Sequence, residues 1–268
     1  MNNRLDSLKD KSKKHLVIYL MAGDPDFKTT EELIYSLAKS GVSAIELGVP
    51  FSDPVADGPT IQRSGERALA NKITIKDVLG LVSKVREKVS TPIVFMLYYN
   101  LIYSYGTGNF VDDCVKAGVD GVIVPDLPYD EEKEFYNHSI NKGFYIIYLV
   151  SPTNTTDRMK KIVEKSRGFV YYILLKGVTG AQKKLSSDFE FLAKIRKCSK
   201  IPVFAGFGIS TPAQSAEVAK HADGVIIGSA YVGIIEQYGS KKKQLLLESG
   251  KFINKFLKTQ TKNIKEKQ

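Results

Sequence analysis

Residues 43–62 read SAIELGVPFSDPVADGPTIQ, and this stretch holds both the periodicity and the chemistry on which the fold turns. Side chains alternate faces along a strand, so Ile45, Leu47 and Val49 share one face while Ala44, Glu46 and Gly48 share the other. The three aliphatics read as a core face. The opposite face sets one acid between two residues with little or no side chain, which leaves space beside the carboxylate for a small molecule. Downstream, Pro50, Pro54 and Pro59 stiffen a loop that carries a second acid, Asp57.

Working outward, short β-rich runs alternate with longer amphipathic ones. The β-rich runs are residues 15–21, 43–49, 92–98, 121–125, 144–150, 169–174, 202–205 and 224–227. Helical patterns fall at 29–39, 61–69 with 75–88, 110–116, 131–141, 155–165, 188–197 and 211–220, followed by a lysine-rich C-terminal helix. Strands separated by helices imply parallel pairing, because each crossover needs a helix. A closed (β/α)8 TIM barrel is the expected α/β fold, with an open doubly wound sheet as the alternative. The unusual residues favour the barrel. Gly23-Asp24-Pro25, Glu46, Asn100, Asp126, residues 177–180, residues 206–208 and Gly228-Ser229 all follow strand ends, and a barrel gathers those ends on one rim, where active sites sit.

The length of 268 residues lies near the ~250 typical of one such barrel. No linker-like stretch divides it, so residues 1–268 are expected to form a single barrel domain with a lysine-rich C-terminal helix and tail. Cys114 and Cys198 stand far apart without metal-ligand spacing and read as ordinary reduced core thiols, which fits a cytoplasmic location. The polar opening MNNRLDSLKDKSKK lacks the apolar region of a signal peptide, and no run approaches the ~18 apolar residues of a membrane span. Neither a membrane nor a bound metal is expected.

A net charge of +10 could point to nucleic acid, but residues 241–268 hold nine lysines against two glutamates. Leu245, Leu246, Phe252, Ile253, Phe256 and Leu257 are spaced there for one buried helical face, with the lysines on the wet side. Nucleic acid is not expected as a partner. A general positive potential suits a small phosphorylated substrate. Three late glycine-bearing segments fit the same ligand: residues 177–180 (GVTG), residues 206–210 (GFGIS) and Gly228-Ser229. Glycines let backbone N–H groups approach an anion, and a helix N-terminus adds its positive end. Each segment alone could equally be a turn.

The same residues carry a resemblance. LGVPFSDPVADGPTIQ, with GDP after strand one, LYYN after strand three, PDLP after strand four, GVTG after strand six and GFGIS after strand seven, resembles the tryptophan synthase alpha subunit family over roughly residues 16–229. The resemblance implies retro-aldol cleavage of indole-3-glycerol phosphate to indole and D-glyceraldehyde 3-phosphate, the last stage of tryptophan biosynthesis. It implies a carbon–carbon lyase with no cofactor in this chain. Indole would pass to a pyridoxal-phosphate beta subunit within an alpha2-beta2 heterotetramer.

Such a cleavage needs an acid–base group and a stabilising anion. By resemblance Glu46 handles the protons, with a pKa raised by enclosure, while Asp57 stays ionised and accepts a hydrogen bond from the indole N–H. Tyr19 matches the aromatic residue against which the ring lies, and Tyr171 a tyrosine near Glu46. Gly180, Gly208, Gly228 and Ser229 would bind the phosphate with the backbone of Phe207, and Thr179 would orient Asp57. Without the family, Glu46 could be a salt-bridged strand acid, Asp57 a helix cap before Gly58-Pro59, and both tyrosines simple core. Leu174 stands where many relatives carry serine, and Met21 where threonine is common. A sugar-phosphate isomerase or aldolase would want a rim histidine or an inward lysine, which this sequence does not offer. Partner contacts are expected at residues 50–55, 101–105 and 128–131.

Overall fold

The alternation of residues 43–49 is realised in a closed ring of parallel strands. The computed structural model describes residues 3–174 and 182–265. Among them, β1 (His15–Met21), β2 (Ala44–Gly48), β3 (Ile93–Met96), β4 (Gly121–Ile123), β5 (Tyr145–Ile146), β6 (Leu149–Val150), β7 (Val170–Ile173), β8 (Val203–Gly206) and β9 (Gly224–Ile227) form one sheet. Its order is β5-β4-β3-β2-β1-β9-β8-β7-β6, with every neighbouring pair parallel. The two ends of that order are two halves of one extended stretch. The Ile147 N–H donates to Val122 O at 2.9 Å and the Tyr171 N–H to Tyr148 O at 3.1 Å, so the ring closes through the chain itself. The eight expected strands are thus present as a (β/α)8 barrel. The fifth is divided between its neighbours because strand tilt staggers the register around a barrel.

The inner and outer faces follow the period of two. Val17, Ala44, Val94, Ile123, Ile147, Phe169, Phe204 and Ile226 fill the inside. Leu16, Ile18 and Leu20 on β1, and Ile45, Leu47 and Val49 at β2, pack outward against the helices. Around the ring run α1 (Phe27–Ser40), α2 (Pro59–Ala70), α3 (Ile75–Val85), α4 (Tyr99–Tyr105), α5 (Thr107–Ala117), α6 (Lys133–Asn141), α7 (Thr156–Lys165), α8 (Gln182–Cys198), α9 (Pro212–His221), α10 (Ser229–Tyr238) and α11 (Lys242–Lys265). Their starts are legible locally: Asp26 accepts the Thr29 N–H at 2.7 Å, and Thr74 and Thr211 close capping boxes with Asp77 and Gln214. On α11, Leu245, Ile253 and Phe256 are buried, with Leu246, Phe252 and Leu257 packed against them, as its apolar spacing requires.

Three features depart from the sequence pattern. A 3-10 helix (Arg4–Lys9) plugs the N-terminal mouth, burying Leu5 and Leu8 against the barrel interior. The polar residues around those two leucines mask them in sequence. Residues 99–105, outside the expected helices, form α4; the Asp126 carboxylate accepts the Tyr99 N–H at 2.9 Å from across the rim. Helix α10, which begins directly after β9, was not among the expected helices, although Gly239-Ser240 marks its end ahead of the lysine-rich helix. Cys114 is buried but Cys198 is exposed at the end of α8, so the core-thiol expectation holds for Cys114 alone.

The N-terminal mouth is fastened by two aspartates that each precede a Gly-Val strand start. Asp120 accepts from the Ile93 N–H at 2.8 Å, from Arg86 at 2.6 Å and from Arg4 at 3.0 Å. Asp223 repeats the arrangement, accepting from the Val203 N–H at 3.0 Å and from Arg196 at 2.7 Å. Both carboxylates are buried, so each charge is matched by a guanidinium and a backbone donor. Such pairs leave the opposite rim free for chemistry.

Candidate active site

At the C-terminal mouth lies a cavity of about 190 Å³, lined by Tyr19, Glu46, Asp57, Gly58, Ile61, Met96, Tyr171, Phe207, Gly208, Ile209, Ser210, Ile226, Gly228, Ser229 and Ala230. Eight of the ten residues singled out in sequence for catalysis or substrate binding therefore meet in one place. The other two, Thr179 and Gly180, lie outside the described residues. Among the described residues, the lining holds neither histidine nor lysine. Among the described residues, no group of three or more histidine, cysteine, aspartate or glutamate side chains is placed to hold a metal ion. No helix among them is long and apolar enough to cross a membrane.

Glu46 is only 1 % exposed, on the inner wall of β2 between Ala44 and Gly48. Its Oε1 has no hydrogen-bond partner among the described residues. Burial disfavours the charged form and pushes its pKa up to about 8. A salt-bridged strand acid would have been held low, so that reading does not fit. The space beside the carboxylate has a different cause from the one the sequence suggested. A Cβ on Gly48 would lie 2.3 Å from the Tyr19 hydroxyl oxygen, so this glycine seats the tyrosine. Across the ring a Cβ on Gly206 would lie 2.6 Å from the Tyr171 hydroxyl oxygen. Tyr19 and Tyr171 are buried, and burial, with the nearby acids, holds both phenols protonated.

Asp57 closes the loop ahead of α2. The helix is capped at Gly58 without a side-chain bond and starts with Pro59, so Asp57 is not its cap. Instead its carboxylate faces the cavity. Burial pushes its pKa up to about 6, opposed by a hydrogen bond from Tyr98. Tyr98 also accepts the Ala56 N–H at 2.9 Å, and the Gln62 amide donates to Asp57 O at 2.9 Å, which pins the loop on both sides of the acid. The two carboxyls are thus offset by about two units. At neutral pH the arrangement presents mainly a protonated Glu46 and an ionised Asp57.

The other end of the cavity suits an anion. Gly228 caps α10 without a side-chain hydrogen bond, and the first two residues of that ten-residue helix, Ser229 and Ala230, line the cavity. Facing them, Phe207 and Gly208 take positive φ values of 76° and 73°. A left-handed phenylalanine costs of order 1 kcal/mol or more. Its exposed ring meets Tyr171 edge-on, with centroids 6.2 Å apart.

Sequence reading missed Met96, Ile226, Ile61 and Tyr98. Strand parity could have found the first two, since Met96 follows inward Val94 and Ile226 precedes Gly228, each by two. The same parity puts Tyr98 inward, but its bond to the Ala56 N–H spans 42 residues and could not be read that way. Of the two departures noted, Leu174 faces outward into the helix layer and does not line the cavity. Met21 is buried near Tyr19, Ile61 and Ala68, beside the ring pocket.

A family model described as tryptophan synthase alpha chain matches residues 5–262. The chain belongs to the tryptophan synthase alpha chain family. A family member from Geotalea daltonii is 47 % identical over 243 residues, covering 90 % of this chain and 92 % of its own. Another, from Citrifermentans bemidjiense, is 44 % identical over 255 residues and 95 % of each chain. Among solved structures, the tryptophan synthase alpha subunit of Legionella pneumophila superposes with a TM-score of 0.90 at 38 % identity, over 98 % of this chain and 100 % of that one. A chain from the a2b2 complex of Pyrococcus furiosus tryptophan synthase gives 0.83 at 38 % identity, over 91 % and 97 %.

Proposed function

We propose that this chain cleaves indole-3-glycerol phosphate to indole and D-glyceraldehyde 3-phosphate as the alpha subunit of a tryptophan synthase. The observation that carries the reading is the pairing, in one cavity with an uncapped helix N-terminus, of two carboxyls whose pKa values are offset to about 8 and about 6. Protonated Glu46 delivers its proton to ring carbon three, and the positive charge that develops at the ring nitrogen is met by ionised Asp57 through the N–H. The Glu46 carboxylate then takes the proton of the side-chain hydroxyl as its oxygen becomes the aldehyde. The carbon–carbon bond breaks and its electron pair returns to the ring. Glu46 ends as it began, so one carboxyl serves both transfers.

Tyr19, Ile61 and Met96 form the apolar wall for the ring. Tyr171 flanks Glu46, and the backbone of Phe207, Gly208, Gly228 and Ser229 receives the phosphate. Thr179 and Gly180 stay in the proposal on the family resemblance, Thr179 orienting Asp57. The whole of residues 1–268 acts as one barrel domain, a cytoplasmic carbon–carbon lyase without a cofactor of its own. Pyridoxal phosphate belongs to the beta subunit. For that partner, within an alpha2-beta2 complex, the rim offers Val55 (84 % exposed) and Tyr103 (70 % exposed), which fall in segments 50–55 and 101–105.

The test is indole release from indole-3-glycerol phosphate by purified protein, with and without a beta subunit. Turnover that rises with the partner supports reaction and complex together. A folded sample that releases no indole beside an active beta subunit would remove the proposal.

A further inference from the structure

A network of charged side chains lies behind the cavity wall, and none of its members lines the cavity. Asp24, at the loop after β1, is fully buried. Its oxygens accept from Arg67 Nε at 2.7 Å, Arg67 Nη2 at 2.8 Å and Ser64 Oγ at 2.5 Å, all donors on α2. The remaining arm of Arg67 donates to Glu236 of α10 at 3.2 Å, and Arg63 adds a second fork to Glu236 at 2.6 and 3.0 Å. Asn71, just past α2, donates to Gly23 O and Pro25 O at 3.0 and 2.8 Å.

Helix α2 starts two residues after Asp57 and α10 starts at the anion seat, so this network joins the two ends of the substrate site. We propose that Arg67, held by Asp24, is a positioning residue that fixes the Asp57 helix relative to the phosphate helix through Glu236. The inference rests on the substrate proposed above. The bidentate fork sets direction as well as distance, which a lysine could not do. A ligand occupying one end can follow a shifted helix. A substrate that spans both ends cannot, and small misplacements are costly in rate.

Arg67→Met would strand the buried Asp24 charge and unfolding would hide any positional effect, so Glu236→Ala carries the test. Glu236 is partly exposed, and its removal leaves the Asp24–Arg67 pair intact. With the beta subunit present, kcat/KM for indole-3-glycerol phosphate is expected to fall about tenfold. Separate affinities for indole and for inorganic phosphate, and the melting midpoint, should stay near those of the unaltered protein. Glu236→Gln, which keeps the length and one acceptor, should recover part of the loss. Turnover of Glu236→Ala within about twofold of the unaltered protein overturns the proposal. So does a loss of indole or phosphate affinity in step with a falling midpoint, which marks fold damage. Absence of turnover in the unaltered protein overturns the substrate reading, and this inference with it.

Discussion

Tyr19 and Glu46 are register partners in the parallel β1–β2 ladder, yet the tyrosine hydroxyl is directed past the carboxylate to Gly48 and to Met21 Sδ at 3.9 Å. The acid is thereby enclosed by an aromatic wall without being hydrogen-bonded by it. Enclosure without a partner is what raises a carboxyl pKa, and it leaves the buried Oε1 with unused hydrogen-bonding capacity.

The offset of the two carboxyls sets a pH window. Turnover should fall below about pH 6 as Asp57 takes a proton, and above about pH 8 as Glu46 loses one. The substrate phosphate also titrates near pH 6, so the comparison is with Asp57→Asn. In that variant the residual acid limb should belong to the phosphate alone, and an unchanged profile would remove Asp57 from the assignment.

Glu46→Gln should cut turnover by about 10²-fold or more. It should also stabilise the fold near neutral pH. The native carboxyl keeps its proton up to about pH 8 and the unfolded one only to 4.5, so in that window the native state binds more protons and stability falls as pH rises. Removing the ionisation corresponds to about 3 kcal/mol at pH 7, an upper figure because the amide brings two donors of its own. Denaturant melts at pH 7 and pH 4.5 check this, since the gain should fade at the lower pH.

Gly48→Ala should reduce kcat/KM by about tenfold or more, because the new methyl displaces the Tyr19 ring. Adding Tyr19→Phe removes the 2.3 Å contact and leaves one at 2.8 Å, so recovery should be partial. Steady-state kinetics of the single and double variants decide it, and a double variant no better than Gly48→Ala would discard the contact as the cause.

Asp120→Ala should destabilise the barrel by about 3–5 kcal/mol, because it strands the buried Arg86 guanidinium and the Ile93 N–H. The site is at the other mouth, so kcat of the folded fraction should be retained. Urea unfolding together with an activity assay separates the two effects.

Much of this was legible before any coordinates. The period of two around Glu46 assigned its face correctly, because a strand has no other way to alternate. The spacing of strands and helices implied parallel pairing, because each crossover needs a helix. What was missed is non-local or masked. The Leu5 and Leu8 plug is hidden among polar residues, α4 draws a cap from Asp126, and Arg67 finds Asp24 from 43 residues away. The space at Gly48 was seen but credited to the ligand rather than to Tyr19.

The sequence by itself determined the strand periodicity, the starts of the capped helices such as those at Thr74 and Thr211 and, through a long motif, the two carboxyls and their family. These are properties of near neighbours along the chain, set by backbone geometry and side-chain size. The resemblance implied which acid holds its proton, and the tertiary structure supplies the physical cause. Desolvation depends on what the other strands bring around a group, and it is the closing of the barrel that takes Glu46 out of water while leaving Asp57 partly in it.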